Sequence, residues 1–561
     1  MCAGKALMKH ANARSTVPGL MRRAQVGALL SALLLPGLAL AQAPSTPAPM
    51  PAATGASATF AINGFEVTGD VPLPAAQTDA VLAPFIGPGA TIETLQKATA
   101  ALEAAYKAQG FALHRVTLPA QEVGQKIKLV IVKFVIGKVT VSGNTAFTEA
   151  NIRASLPELV ENQAPNFSRL AVQTAIANEN PSKQVKVSLK ESEEANKIDA
   201  TLQVKEAKPW NFSASLANTG SDATGQDRLS VVGGHSSLWG LDHQFSGAYT
   251  TSIERSSDVK QLGLNYRIPF YKRGGVLGVS YTTSDVVGNF GTFTSTGAGQ
   301  TYGINYSHYL GPVGGRRSYL TYGLDEKQFK ANRLNNAPLA LGQPELTSSR
   351  PLSVGYNARI ESDTAVWGYN AELALNVPGG NGNNLTDYQN ANAGSAAPNL
   401  RINTVNWKLL RGGANYLTAL ANGWLWGVRG QFQYSADALI PGEQFGLGGA
   451  NSVRGTGERL VTGDSGVFAS MEFTSPALAP GLNALLFVDG GWLNNRNSAV
   501  SGTESDQLLS VGLGLRYQTN KLSLTADWGR VVTGSSVPLS VNPNAPQAGA
   551  DKLHLNMTAR F

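Results

Sequence analysis

Residues 509–517 read LSVGLGLRY, and in this stretch large apolar residues alternate strictly with small or polar ones. One face of an extended chain would carry the leucine, valine and tyrosine side chains, whereas serine, glycine and Arg516 would lie on the other face. Alternation with a period of two indicates a β-strand whose two faces meet different environments. The face that includes Arg516 therefore points to a polar environment.

The same alternation recurs over about 350 residues, from Trp210 to the last residue, Phe561. It is clearest in segments 262–270, 424–434 and 553–561, where apolar and aromatic residues oppose polar ones and glycine. An apolar outer face, a polar inner face and aromatic residues near strand ends are typical of an outer-membrane β-barrel. Such a sheet must close on itself, because lipid offers no hydrogen bonds to an open edge.

We predict sixteen strands for this barrel. Allowing about 20–24 residues for each strand and its loop gives about 14–18 strands, and bacterial barrels have an even number. The alternative is a large soluble β-sandwich or β-propeller, in which alternation also arises from one buried face. The arginine-bearing inner faces and the apolar terminal strand favour the barrel.

The first 41 residues have the features of a secretory signal peptide. Arginines at 22–23 precede the apolar run 26–40, and the small-residue site Ala39-Leu40-Ala41 predicts cleavage after residue 41. A retained membrane anchor is the alternative, although the run is shorter than the ~20 residues of a spanning helix. Cleavage would remove Cys2, the one cysteine of the chain, so the mature protein would form no internal disulfide.

The next segments suggest a tether and two modules. Residues 42–58 are rich in Pro, Ala, Ser and Thr and carry no charge, which predicts a tether. Residues 59–134 show the order β-α-α-β-β, and residues 135–206 repeat it, with Thr148 and Ser168 as candidate helix N-caps. Two consecutive units of one topology predict tandem α+β modules, and a single larger α+β domain is the alternative. The barrel then occupies residues 207–561.

Charge and motif content argue against several function classes. The formal charge is +7, but residues 1–41 hold five lysines and arginines and no acid, so subtracting these five leaves only +2. A nearly neutral body lacks the basic surface that nucleic acid needs. The histidines show no metal-ligand spacing, and no phosphate-binding loop is present. Gly463-Asp464-Ser465-Gly466 resembles the sequence around a protease nucleophile but also fits a loop before a strand. We predict no catalytic residue, metal or cofactor.

One segment interrupts the strand pattern. Residues 444–458 are rich in glycine and contain a single arginine, Arg454, which predicts a long loop. Asp489 lies within the apolar stretch 487–491, FVDGG, and its charge should face the lumen because it would be costly on the lipid side. Arg454 and Asp489 could then pair inside the barrel and hold the loop there. The alternative is that both are solvated loop charges.

Taken together, these residues resemble the two-partner secretion transporters of Gram-negative bacteria, the haemolysin secretion and activation family within the outer-membrane assembly superfamily. The resemblance spans residues 59–561. It implies two periplasmic polypeptide-transport-associated (POTRA) domains followed by a sixteen-stranded antiparallel transmembrane β-barrel. The matching motifs are LPAQ at 118–121, VSGN at 141–144, LANTGS at 216–221, VRG at 453–455 and FVDGG at 487–491.

The resemblance also implies site residues. The lumenal loop motif of the family falls on Val453, Arg454 and Gly455. The strand motif that binds the loop arginine falls on Phe487, Asp489 and Gly491.

Two further positions bear on the family pattern. Phe561 matches the terminal signal by which such barrels are recognised for insertion, which implies contact with the barrel assembly machinery. Thr456 stands where the family usually has Phe or Tyr, so we expect the loop to be anchored more weakly or by another side chain. The tether is too short for the helix that plugs the pore in well-known members.

The implied function is secretion of a partner exoprotein, an adhesin, haemolysin or exoenzyme, across the outer-membrane bilayer. The POTRA domains would capture the partner by β-augmentation, with the strands at 112–118 and 184–189 as candidate edges, and without nucleotide hydrolysis by this chain. An assembly factor that folds or inserts other outer-membrane proteins is the alternative. A passive porin is a third interpretation, but porins need no modules before the barrel.

Overall fold

The computed structural model describes residues 59–122, 126–286, 288–290, 293–295, 297–330, 344–391, 400–498 and 503–561. The predicted signal peptide and the tether to residue 58 lie outside the described residues. The chain divides into two compact units, one ending at Val135 and the other running from Ile136 to Phe561. Each unit is described by itself.

The first module is a small α+β domain with a packed apolar core. Its strand β5 lies between β2, to which it is parallel, and β4, to which it is antiparallel, and β1 pairs with β3. The longer helix covers this sheet with a face of Leu95, Ala98, Leu102 and Tyr106, which recur at helical spacing. The elements are β1 Phe60–Ile62, β2 Phe65–Gly69, α1 Ala75–Leu82, a 3-10 turn Ala83–Phe85, β3 Gly87–Ala90, α2 Ile92–Ala108, β4 His114–Thr117 and β5 Ile127–Lys133.

The second module repeats this topology, and its sheet has the order β6-β8-β7, so the last strand is again central. Thr148 caps the first helix as predicted, because its side chain accepts a hydrogen bond from Asn151 N at 3.2 Å. The predicted cap Ser168 is wrong: it lies inside the first turn, and Asn166 accepts from Arg169 N at 3.1 Å instead. The elements are β6 Val135–Ser142, α3 Glu149–Ser155, α4 Phe167–Ala177, β7 Lys183–Glu191 and β8 Lys197–Glu206.

The remaining chain forms a closed antiparallel barrel of sixteen strands, which confirms the predicted fold class. One wall strand is interrupted at Arg350 and therefore appears as two segments, β18 and β19, that both pair with β17. The wall consists of β9 Trp210–Ala217, β10 Arg228–Leu238, β11 His243–Thr251, β12 Lys260–Phe270, β13 Gly275–Ser284, β16 Gly299–Val313, β17 Arg316–Lys330, β18 Leu346–Ser349, β19 Pro351–Glu361, β20 Ala365–Asn376, β21 Lys408–Ala419, β22 Leu425–Ser435, β25 Ser465–Thr474, β26 Leu482–Asn494, β27 Ser505–Gln518, β28 Leu522–Thr533 and β29 Asp551–Arg560.

Two short hairpins and several helical turns lie outside the ladder of the wall. The hairpins are β14–β15 and β23–β24, each paired only within itself among the described residues. No helix in the described part of the chain is both long enough and apolar enough to cross a bilayer. These elements are β14 Gly288–Phe290, β15 Phe293–Ser295, β23 Phe445–Leu447, β24 Val461–Gly463, α5 Leu385–Asn390 and the 3-10 turns Tyr271–Arg273, Ala421–Gly423 and Pro441–Glu443.

The barrel closes where its last strand meets its first. Five residue pairs, Asn556–Arg560 against Ser213–Ala217, form this seam. The side chain of Asn218 extends it, since it accepts from Leu555 N and donates to Leu553 O, both at 2.7 Å. We call the end at which β9 begins the near end, and the opposite end the far end.

The two faces of the wall differ as the sequence predicts. On β27, Leu513 is 54% exposed on the outer face while Ser510 on the lumen face is fully buried. Outward side chains on the other strands are also large and apolar, among them Ile304, Leu324 and Leu373. In the absence of lipid these side chains are exposed, so a bilayer is their natural surrounding.

A charge on the outer face tests this assignment. Ile304 lies in β16 with its side chain outward, and its neighbour Asn305 faces the lumen. We expect Ile304→Arg to reduce the folding free energy in lipid vesicles by about 2–4 kcal/mol, because it places a guanidinium in hydrocarbon. Urea titration measures this change. Asn305→Arg is the matched control and should be tolerated; an equal loss in both variants would contradict the assignment of the faces.

Candidate functional site

The loop between β22 and β25, residues 436–464, folds back into the lumen, and we call it loop 6. Its hairpin β23–β24 pairs antiparallel, from Phe445 with Gly463 to Leu447 with Val461. Apolar side chains of the loop pack on lumen-facing residues of the wall in one buried cluster. The members of this cluster are Leu447, Val453, Val461, Phe468, Leu493 and Leu508.

Arg454 lies at the tip of loop 6 and is only 1% exposed. Its Nε is 2.7 Å from Asp489 Oδ2 and its Nη2 is 2.8 Å from Asp489 Oδ1, which is a two-point contact. The Arg454 backbone N–H also donates to Asp489 Oδ2, at 3.1 Å. Charge-assisted pairs of this geometry are the strong ones, and the planar guanidinium makes them directional. The structure therefore brings together the two residues that the sequence paired.

Further charges surround this pair. Arg454 Nη1 is 2.8 Å from Glu472 Oε1 and 3.4 Å from Asp527 Oδ2, and Asp527 in turn pairs with Arg516. Arg429 donates to the carbonyl of Asn451 in loop 6, at 3.1 Å. Three arginines thus meet three carboxylates, which limits the cost of burying charge away from water. The cluster consists of Arg429, Arg454, Arg516, Glu472, Asp489 and Asp527.

Ring and backbone contacts complete the site. The guanidinium carbon of Arg454 lies 3.4 Å from the centre of the Phe487 ring, a cation–π contact. Gly455 N donates to His554 Nε2 at 3.1 Å, so the loop tip also touches the last strand. Gly455 has φ +89°, and a Cβ there would lie 2.7 Å from the carbonyl oxygen of Gly529. Only glycine at this position allows so close an approach of loop and wall.

The remaining residues of the two motifs have distinct positions. Val453 is fully buried in the apolar cluster, and a Cβ on Gly491 would lie 2.5 Å from Leu447 Cδ2, so this strand glycine makes room for the loop. Thr456 is buried and donates to Val453 O at 2.8 Å while accepting from Gly449 N at 3.1 Å. Thr456, which departs from the family pattern, thus links the backbone of residues 449 and 453 within loop 6 through its hydroxyl group.

Phe561 directly follows the last wall strand, β29, and lies at the near end of the barrel. Its N–H donates to Phe212 O at 3.0 Å, and the two rings are 5.6 Å apart. The side chain is 79% exposed at the near end of the seam. An apolar terminal side chain in this position is available to another protein during insertion, a role that stays a prediction.

The protease-like tetrapeptide has structural partners. Ser465 accepts from Ser435 N and donates to Ser435 O, and Asp464 pairs with Arg401 at 2.6 Å. Ser465 begins β25, as expected for a segment leading into a strand. No group of three or more metal-ligating side chains occurs among the residues that the structure describes.

A second site, which the sequence did not predict, lies where the second module contacts the near end of the barrel. Lys183 is 1% exposed, and its ammonium donates to Asp242 Oδ2 at 2.6 Å and to Asn151 Oδ1 at 2.9 Å. Asp242 lies in the turn between β10 and β11 and also accepts from Tyr271 OH at 2.7 Å. Burial lowers the pKa of Lys183, and the carboxylate of Asp242 opposes this shift.

Apolar and polar contacts extend this junction along α4. Val172 and Ile176 pack against Val276 and Tyr309 of the wall. Beyond the helix, Glu179 pairs with Arg267 at 2.8 Å. No local sequence pattern marks these residues, since each partner lies in a different element.

The family assignment rests on sequence profiles. The profile of the haemolysin secretion/activation protein family ShlB/FhaC/HecB matches residues 196–517, more than half of the chain, and that of the ShlB-type POTRA domain matches residues 60–133. The chain belongs to the haemolysin secretion/activation family. It is therefore an outer-membrane two-partner secretion transporter, and the POTRA domains of this family lie in the periplasm.

Several individual proteins are similar to this chain. The outer membrane transporter CdiB of Escherichia coli is 24% identical over 465 residues, which are 80% of this chain and 75% of CdiB. CdiB of Dickeya dadantii (strain 3937) is 25% identical over 436 residues, 75% of this chain and 74% of the relative. The solved structure of CdiB from Escherichia coli has a TM-score of 0.71 and 20% identity, covering 92% of this chain and 94% of that one. The solved structure of CdiB from Acinetobacter baumannii has a TM-score of 0.69 and 16% identity, covering 100% of this chain and 99% of that one.

The junction yields a prediction about buried charge. Lys183→Met keeps the length of the side chain but leaves Asp242 buried without its cation, which costs about 3–5 kcal/mol. We expect faster hydrogen exchange in α4 and β7 of the membrane-inserted protein. The double variant Lys183→Met/Asp242→Leu removes both charges and should regain much of the protection; equal exchange in the double and single variants would contradict the pairing.

Proposed function

We propose that this transporter recognises a partner exoprotein through its periplasmic POTRA modules and secretes it through the barrel, without hydrolysing nucleotide. The observation that carries this proposal is the Arg454 cluster: a loop folded inside a polar lumen and fixed there by one dense group of charges. A permanent filling of the lumen would need no such group of charges. A charge cluster at a single tip can be released as a unit, because its energy depends on geometry that a small displacement destroys.

The geometry of the sheets favours β7 as the capture edge. On β4, the two amides that point away from β5 already have partners: His114 N donates to Phe111 O and Val116 N to Glu103 Oε1. On β7, the outward amides at the start of the strand are occupied in this way, that of Lys183 by Asn180 O at 3.4 Å and that of Val185 by Asn178 Oδ1 at 2.6 Å. Because ladder hydrogen bonds alternate along an antiparallel strand, the amides of residues 187, 189 and 191 point outward as well.

An extended segment of the partner would add to this outer half of β7 through main-chain hydrogen bonds. Leu189 is 38% exposed there and offers an apolar contact beside the edge. Residue 183, at the start of the same strand, is fixed to the barrel by Asp242. The captured segment would therefore extend from an edge whose other end is attached to the near end of the pore.

Passage would then follow from the lumen itself. The inner faces of the wall carry glycine, asparagine and charged residues, which an unfolded chain can pass without burying apolar side chains. Folding of the emerged chain outside would bias its movement outward. The chain contains no phosphate-binding loop that could supply energy by nucleotide hydrolysis.

A proline at the capture edge tests the recognition step. Leu189→Pro removes one outward amide without touching the bonds to β8, since edge strands tolerate proline when its nitrogen faces solvent. We expect a severalfold loss of secreted partner at an unchanged amount of folded barrel. Leu189→Ala is the matched control, because it removes the side chain but keeps the amide. Equal secretion by the proline variant and the wild type would exclude this edge.

The transport step is tested by comparing a deletion strain complemented with the wild-type gene or with Arg454→Ala. Removing the guanidinium leaves Asp489 buried without its partner, which destabilises the docked loop by about 3–5 kcal/mol. The equilibrium between the docked and the displaced loop then shifts by more than about a hundredfold toward the displaced loop. Quantitative proteomics of medium and outer membrane compares the two strains. In the strain that carries Arg454→Ala, one or two large proteins should disappear from the medium, while the protein profile of the outer membrane is unchanged. A broad fall in barrel proteins would indicate an assembly factor, and undiminished export by Arg454→Ala would show that the loop is dispensable.

A further inference from the structure

One contact of loop 6 uses a titratable side chain that lies outside the Arg454 cluster. His554 belongs to β29, the last strand of the wall, and is 5% exposed. Its neighbours Leu553 and Leu555 point outward, at 46% and 45% exposure, so the imidazole faces the lumen. The ring therefore meets loop 6 from the strand that closes the barrel.

Two successive amides at the tip of loop 6 bind two different strands. Arg454 N donates to Asp489 Oδ2 of β26, and Gly455 N donates to Nε2 of His554, both at 3.1 Å. The tip thus spans the wall from β26 to β29. Both hydrogen bonds are buried, and a buried N–H that loses its acceptor destabilises the arrangement that holds it.

The surroundings fix the ring and the loop tip relative to each other. The side chain of Asn218 binds the carbonyl of the residue before His554 and the N–H of the residue after it, both at 2.7 Å. Gly455 lies directly against Gly529 of β28, because a Cβ on either glycine would lie 2.7 Å from a backbone atom of the other. Neither side of the contact can therefore move far while the loop is docked.

The contact also fixes the protonation state of the ring. Gly455 N can only donate, so Nε2 of His554 accepts, and an imidazole that accepts is neutral with its proton on Nδ1. That Nδ1 has no hydrogen-bond partner among the residues that the structure describes. A second proton would turn Nε2 into a donor that faces the N–H of Gly455. The docked loop and an imidazolium cation therefore exclude each other.

The charges around His554 are already balanced by one another. Asp489 pairs with Arg454, and Asp527 pairs with Arg516 at 2.7 Å. A cation on the ring would add a positive charge, beside that of Lys552, to a cluster in which three arginines already meet three carboxylates. The charged groups that face the ring are Asp527 of β28, Asp489 of β26, Arg454 of loop 6 and Lys552 of β29 itself.

We propose that His554 is a positioning residue that holds the tip of loop 6 only while its imidazole is neutral, so that acidification shifts the loop toward its displaced state. The proposal deepens the proposed transport function and rests on it for its use, because loop 6 would then leave the lumen more readily in an acidic medium. Asp489 anchors the tip through fixed charges, whereas His554 anchors it through a bond that a proton can break.

The direction of the pH effect follows from proton linkage. The docked loop keeps the ring neutral, whereas a histidine in contact with water has a pKa of about 6.5. The displaced state therefore takes up a proton that the docked state does not bind, and the docked state becomes less favourable as the pH falls below that value. Between about pH 7.5 and about pH 5.5 the equilibrium should shift roughly tenfold toward the displaced loop.

Thiol labelling of the mature protein in lipid vesicles tests this anchor without a partner protein. Val453→Cys places a reporter at a fully buried position beside Arg454, where a water-soluble maleimide reacts when the tip is displaced. Cys2, the one cysteine of the chain, lies in the predicted signal peptide. Each labelling rate is divided by that of Asn451→Cys, an exposed position of the same loop, which removes the effect of pH on the thiol itself.

With His554 in place, we expect the normalised labelling rate to rise roughly tenfold between about pH 7.5 and about pH 5.5. His554→Gln offers an acceptor to Gly455 N but does not titrate, so its rate should stay low at both pH values. His554→Leu removes the acceptor, so its rate should be severalfold higher than that of the parent at neutral pH and independent of pH. His308→Gln is the matched control and should behave as the parent, because His308 is an exposed histidine of β16.

Folding of each variant is checked by the heat-dependent mobility of the barrel in electrophoresis. An equal rise in His554→Gln would overturn the anchor, because other groups would then carry the pH dependence, and so would parental protection in His554→Leu at neutral pH. A flat pH profile of the parent would also overturn the anchor, and it would leave the transport function standing. Secretion decides the transport function separately: undiminished secretion by the deletion strain would refute transport and leave the anchor standing.

Discussion

A sheet immersed in lipid cannot leave its backbone groups without hydrogen-bond partners, and the rest of this structure depends on that constraint. It forces the wall to close, so β29 meets β9 in a seam of five residue pairs that the side chain of Asn218 extends. It also directs every charge on the wall strands toward the lumen or the ends. An interior lined by glycine and polar groups is the consequence, and loop 6 folds into it on a cluster of balanced charges together with a small apolar cluster.

Three buried ion pairs then fix segments that are distant in sequence. Arg454–Asp489 fixes the tip of loop 6, Lys183–Asp242 fixes the second module on the barrel, and Arg401–Asp464 joins the far-end loops. Buried pairs of this kind contribute little net stability compared with well-packed apolar residues, but breaking one of them is costly. Their value lies in defining one arrangement and in separating it sharply from any other.

The sequence predicts those features that repeat or stand out locally. Alternation along segments such as 509–517 is enough to predict strands with one lipid face, and the isolated charges of Arg454 and Asp489 in apolar or glycine-rich surroundings are enough to suggest their pairing. The contact between the second module and the barrel could not be predicted, and neither could the pairing of Arg401 with Asp464. In both cases the two charged partners lie about 60 residues apart in the sequence, and no local pattern marks them. The cap at Asn166 was missed for a different reason: two capping residues stand close together, and local preference does not choose between them.

The barrel wall does not depend on loop 6, so a lumen that holds a folded loop is compatible with a transport function. Strands β22 and β25 pair directly with each other, from Leu425 with Thr474 to Gln433 with Gly466, so their ladder stays intact wherever the loop lies. Displacing the tip of the loop would break the Arg454 cluster and the contacts of Leu447 and Val453 in the apolar cluster, but no backbone hydrogen bond between neighbouring wall strands. The cost of opening is therefore local and separate from the cost of unfolding the barrel. A loop attached in this way can leave its position in the lumen without exposing a strand edge to lipid.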